Sequence, residues 1–103
     1  KMKAIAVTSD KRLPGIDVPT MKEQGFDVVL GNWRGVYAGP GITPEQRKVL
    51  TDLVIAATKS KAWQDDLTKN GWTPALLTGK TFDDFVDDEF ASLRATMHLS
   101  GML

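Results

Sequence analysis

The chain contains no cysteine and a single histidine, His98. The first absence excludes a disulfide scaffold, a thiolate metal site and a cysteine nucleophile. The second excludes a metal site built on two or more histidines of one chain. An excess of charge of either sign is also missing: 13 Lys and Arg balance 13 Asp and Glu, so the formal net charge is zero. That balance offers no electrostatic attraction to nucleic acid or to an anionic membrane, and no nucleic-acid partner is expected. No apolar run approaches the ~20 residues needed to span a bilayer. What is present is ordinary for a globular chain, with 42% hydrophobic and 25% charged residues over 103 positions, enough for one domain and too few for two.

The order of residues says more. Lys1-Met2-Lys3 leads at once into Ala4-Ile5-Ala6-Val7, and a strand is expected over Lys3 to Thr8. An apolar strand with so little ahead of it reads like the interior of a longer protein. Ser9 to Val18 is a loop punctuated by Pro14-Gly15. Pro19-Thr20 opens a short helix in which Thr20 and Glu23 make a T-x-x-E capping box, and Gly25 closes it. Extended segments follow at Phe26 to Leu30 and Trp33 to Ala38, stopped by Gly39-Pro40-Gly41. Thr43-Pro44-Glu45-Gln46 is the clearest helix start, with Thr43 as cap, Pro44 in the first turn and Gln46 closing the box. The helix beyond it aligns Val49, Leu50, Leu53, Val54 and Ala57 and ends near Lys59. Ser60 caps a second helix, with Ala62, Trp63 and Leu67 facing inward and Gly71 as its stop. Trp72 to Leu77 reads as an edge strand because Pro74 lacks an N–H. Thr81 is expected to cap the last helix, where Phe82, Val86, Phe90, Leu93 and Met97 recur at spacings of four, four, three and four. Alternating strands and helices predict an α/β chain.

Catalytic constellations are poor. Ser9, Ser60, Ser92 and Ser100 share one histidine, and no G-x-S-x-G surrounds any of them. Gly39-Pro40-Gly41 lacks the spacing of a phosphate loop. Asp83, Asp84, Asp87, Asp88 and Glu89 cluster on the last helix, but they lack the alternation and glycine of a calcium loop. Acidic residues there favour the positive end of a helix, as His98 favours the negative end. The expectation is a protein that is not an enzyme and carries no cofactor and no metal.

Several segments taken together resemble one family. Lys3-Ala-Ile-Ala-Val-Thr-Ser-Asp-Lys-Arg12, Asp17-Val-Pro-Thr20 and Glu23-Gln-Gly25 are followed by Trp33-Arg-Gly-Val-Tyr-Ala-Gly-Pro40 and by Thr43-Pro44 before a long helix. This ordered set resembles the C-terminal part of the substrate-binding proteins of tripartite tricarboxylate transporters, the Bug receptors. The resemblance is best from Lys3 to Pro44, looser after Trp72, and departs at His98-Leu-Ser-Gly101. It implies the C-terminal portion of a two-lobed periplasmic-binding-protein fold of type II. Residues 1–32 would belong to the second lobe or hinge, and residues 33–103 would supply the return strand and helices of the first lobe. The function implied is periplasmic capture of small carboxylates for delivery to membrane transporter subunits. Because such receptors grip a solute from two sides, this chain alone is expected to bind weakly or not at all.

Four residues are candidates for contact with the solute. Thr8 and Ser9 lie at the end of the first expected strand, where α/β sheets gather ligands, and their hydroxyls can bond a carboxylate without adding charge. Local turn bonding explains the same hydroxyls. Arg12, beside Lys11, is suited to bidentate carboxylate binding, although charged loop residues are commonly just solvated. Trp33, between Asn32 and Arg34, could line a cleft or simply pack. Uncovered apolar strands also invite self-association. Two other classes stay open: the effector-binding half of a transcription regulator, a class that shares the two-lobed fold, and a free-standing interaction module that docks through its last helix.

Overall fold

Thr43 begins a helix because the first backbone donors there have partners. The structure, a computed structural model, describes residues 1–103. In it the Thr43 hydroxyl accepts from the Gln46 N–H at 3.1 Å, and the Gln46 side chain accepts from the Thr43 N–H at 2.9 Å. This complete capping box starts α1, Pro44–Thr58. Ser60 accepts from the Trp63 N–H at 3.2 Å and starts α2, Lys61–Asn70. The α2 helix ends at Gly71, whose φ of 67° lies in the left-handed region, and Trp72 N–H returns to the Leu67 carbonyl. Between α1 and α2, the Gln64 amide donates to the Thr58 carbonyl at 2.7 Å. The third helix, α3, spans Gly79–Leu99. It starts earlier than expected: Thr78 occupies the cap position and Thr81 lies inside the helix. The added turn carries the pair Lys80–Asp84 at 2.8 Å.

The strands are not formed, and the expected α/β fold is corrected. Every regular element is helical, and the chain has no sheet. The sole β-type pairing is an isolated parallel bridge between Val7 and Thr20. Lys3 to Thr8, Phe26 to Leu30, Trp33 to Ala38 and Trp72 to Leu77 form no ladder, and inside the second of them the Val28 N–H turns back to the Phe26 carbonyl. The reason is lateral. A strand needs a row of partners, and here Val7 N–H reaches the Pro19 carbonyl, Met21 N–H reaches Val7 and Leu30 N–H reaches Thr8, after which the pairing stops. With no sheet, the two-lobed type II architecture falls as well. The short helix expected after Thr20 is a single 3₁₀ turn, Lys22–Gln24, closed by Gly25 at φ 92°.

The chain divides into two compact units, Lys1–Val36 and Tyr37–Leu103. The boundary expected between residues 32 and 33 lies within the first. That unit is organised by the Val7–Thr20 bridge and the 3₁₀ turn. The second holds the three helices, with the Tyr37 ring 6.0 Å from that of Phe82 at the start of α3.

No hydrophobic residue is buried. The only buried side chains are Thr20 and Thr58. The inward stripes expected of the helices are largely open: Val49, Leu50, Leu53, Trp63, Phe90 and Leu93 are all exposed. The helices are thus amphipathic surfaces whose apolar faces this chain does not itself cover.

Candidate functional site

The densest polar geometry lies in the first unit, around Arg12. Its Nε is 3.0 and 3.1 Å from the two carboxylate oxygens of Glu23, and its Nη1 is 2.9 Å from Asp17 Oδ1. Glu23 is held from the other side too. It accepts from the Thr20 N–H at 2.8 Å, while its own N–H donates to the Thr20 hydroxyl at 3.0 Å. The T-x-x-E box therefore fixes the carboxylate, and the fixed carboxylate aims the guanidinium. Thr20, at 1% exposure, is the most buried side chain and anchors this arrangement to the Val7 bridge.

The electrostatics follow from these bonds. Hydrogen bonding from Arg12 and then from the Thr20 N–H holds the Glu23 carboxyl down at about 2. The Arg12 guanidinium is pushed up in turn, chiefly by its hydrogen bond to Glu23. Lys22, 3.0 Å from Asp10, is also raised by that bond. Asp17 differs from Glu23 in one respect: its side chain is 97% exposed, so Arg12 is its one hold. Residues 1–36 carry six basic and four acidic side chains, an excess of two positive charges.

The four sequence candidates all fall in this unit. The Thr8 hydroxyl donates to the Leu30 carbonyl at 2.9 Å, and the Ser9 hydroxyl donates to the Lys11 carbonyl at 2.7 Å. Both hydroxyl protons are thus directed to backbone acceptors. Arg12 is the candidate whose geometry is that of a carboxylate site, since it already holds two carboxylates. Trp33 is half-buried and follows Leu30, which is tied to Thr8 by two bonds. Sequence reading missed Asp17 and the second role of Glu23. The T-x-x-E box located Glu23, but nothing local signals its pairing with a residue eleven positions upstream.

Elsewhere the acidic run of α3 does not converge, and no group of three or more Asp, Glu or His side chains could hold a metal ion. No helix is long and apolar enough to cross a membrane.

Comparison with known proteins gives little more. No family model matches the chain, and no solved structure matches it. Among curated proteins it is similar to NAD-dependent malic enzyme 2 of Vibrio vulnificus (strain YJ016), 29% identical over 93 residues. Those residues are 90% of this chain and 16% of that enzyme, so the chain spans about one sixth of the relative it matches.

Proposed function

We propose that this chain is a carboxylate-binding segment of a periplasmic receptor that passes its solute to membrane transporter subunits of the tripartite tricarboxylate type. The observation that carries the reading is the arrangement at Arg12. Glu23 is a built-in orienting carboxylate, bonded from two sides, whereas Asp17 is a solvent-facing carboxylate on the remaining Nη1 donor. Asp17 occupies the place a solute carboxylate takes on binding. Exchange of one carboxylate for another leaves the desolvation cost of the guanidinium nearly unchanged, which suits reversible capture. The ordered segments from Lys3 to Pro40 and the positive excess of residues 1–36 support the same reading. Thr8 and Ser9 join the site by turning their hydroxyl protons from the Leu30 and Lys11 carbonyls to the solute. Trp33 contributes an apolar wall.

The test is a nuclear magnetic resonance titration of the Arg12 Nε–H with citrate, over the millimolar range where weak sites of about −4 kcal/mol saturate. Citrate shifts this resonance in the wild type and does so several-fold more readily in Asp17→Asn, and the citrate-induced shifts of the neighbouring backbone amides disappear in Arg12→Gln. An Arg12 resonance that stays fixed in Asp17→Asn up to saturating citrate sinks the reading.

A second reading rests on the similarity to the malic enzyme: the chain is a piece of an enzyme of that kind. It predicts perturbation by NAD, which the receptor reading does not, so a parallel titration with NAD separates the two.

A further inference from the structure

Four polar side chains of α3 are arranged about a centre. Asp83, Asp87, Ala91, Arg94 and His98 follow one another at spacings of four, four, three and four, so they form one row along the helix. The apolar row Phe82, Val86, Phe90, Leu93 and Met97 has the same spacings one residue earlier, and the two rows run side by side. The midpoint between Phe90 and Ala91 is also the midpoint between Asp87 and Arg94 and between Asp83 and His98. Within this row acid lies on one side of it and base on the other. All four of these polar side chains are exposed, and none belongs to an ion pair within the chain. Beside the midpoint Phe90 is 67% exposed. Next to it Ala91, Arg94, Ala95, His98 and Leu103 line a shallow, mainly apolar groove.

We propose that α3 is the contact surface for a second copy of this chain, the two helices pairing antiparallel about a two-fold axis at Phe90 and Ala91. In that register Asp87 faces Arg94 of the other copy and Asp83 faces His98, and each pair occurs twice because the contact is isologous. Phe90 and Ala91, next to the axis, each lie beside their own counterparts, and Val86 lies between Leu93 and Met97 of the other copy, so the apolar rows meet along one side and the charged rows along the other. Parallel pairing instead sets acid against acid and base against base. The helix dipole alone accounts for acids near the N-terminus and His98 near the C-terminus. It does not account for the shared midpoint or for the apolar and small residues beside it.

Charge reversal tests the register. Analytical ultracentrifugation of the full chain is expected to show a dimer with a dissociation constant in the range of ~1–50 µM. Asp87→Arg and Arg94→Glu, each alone, raise that constant by roughly tenfold or more, because each creates like-charge pairs across the axis. The double variant D87R/R94E restores it to near the wild-type value. Far-ultraviolet circular dichroism checks that both single variants keep their helix content, and since the substituted side chains are exposed, they should. A chain that stays monomeric up to ~1 mM, or a dimer indifferent to the single reversals or not rescued by the double one, overturns the proposal.

Discussion

Arg12 grips Glu23 through both oxygens of one carboxylate, at 3.0 and 3.1 Å from Nε, across a loop of ten intervening residues. The contact joins the Ser9–Val18 loop to the 3₁₀ turn, and the Thr20 N–H completes it. A small unit without buried hydrophobic residues thus takes its order from a charged, bidentate bond and a reciprocal cap.

That bond makes the first unit sensitive to acid in a defined window. Glu23 has its carboxyl lowered from an ordinary 4.5 to about 2, so its contribution to folding is fully present above pH 4.5. It is lost as the pH falls from 4.5 through about 2, where the folded carboxylate takes up its proton. Carbon-detected titration of the Glu23 carboxyl should give a midpoint near 2. In Arg12→Gln the midpoint moves up towards the ordinary carboxylate range.

The α1 helix depends on its cap. Thr43→Ala removes the hydroxyl that accepts from the Gln46 N–H and opens one half of the box. The expected cost is about 1 kcal/mol, read from the midpoint of urea unfolding. Thr43→Ser should restore it.

Gly71 ends α2 with φ at 67°, and no atom lies within 4 Å of where a β-carbon would sit. The penalty of Gly71→Ala is therefore conformational and not steric crowding. About 1 kcal/mol of destabilisation is expected, and Gly71→Asn should cost less because Asn tolerates the left-handed region.

Leu53 offers a direct reading of the missing core. It is 60% exposed on α1. Leu→Ala in a packed core costs 2–5 kcal/mol, whereas Leu53→Ala in the isolated chain should cost under about 1 kcal/mol. A larger value from urea unfolding would mean that the side chain is covered in solution. Repeating the measurement at high concentration tells whether self-association does the covering.

How much of this was legible in advance depends on the range of the interaction. The Thr43–Gln46 box, the Ser60 cap, the Gly25 and Gly71 stops and the amphipathic spacing of α3 could all be read from residues a few positions apart. The strands misled because a β-branched or alternating segment states a preference and not a partner. Ala4 to Val7 has the composition of a central strand, yet only Val7 finds a bridge. Arg12 was visible as a candidate, but not its two carboxylates, because pairing over five and eleven residues depends on how the loop returns.

Local chemistry along the chain settled where α1 and α2 begin and end, since a cap or a left-handed glycine is satisfied or not within one turn. The three-dimensional arrangement alone decided that no sheet forms, that Glu23 and not solvent holds Arg12, and that the apolar stripes stay open. Each of these is a property of two surfaces meeting, and a single stretch of residues specifies one surface at most.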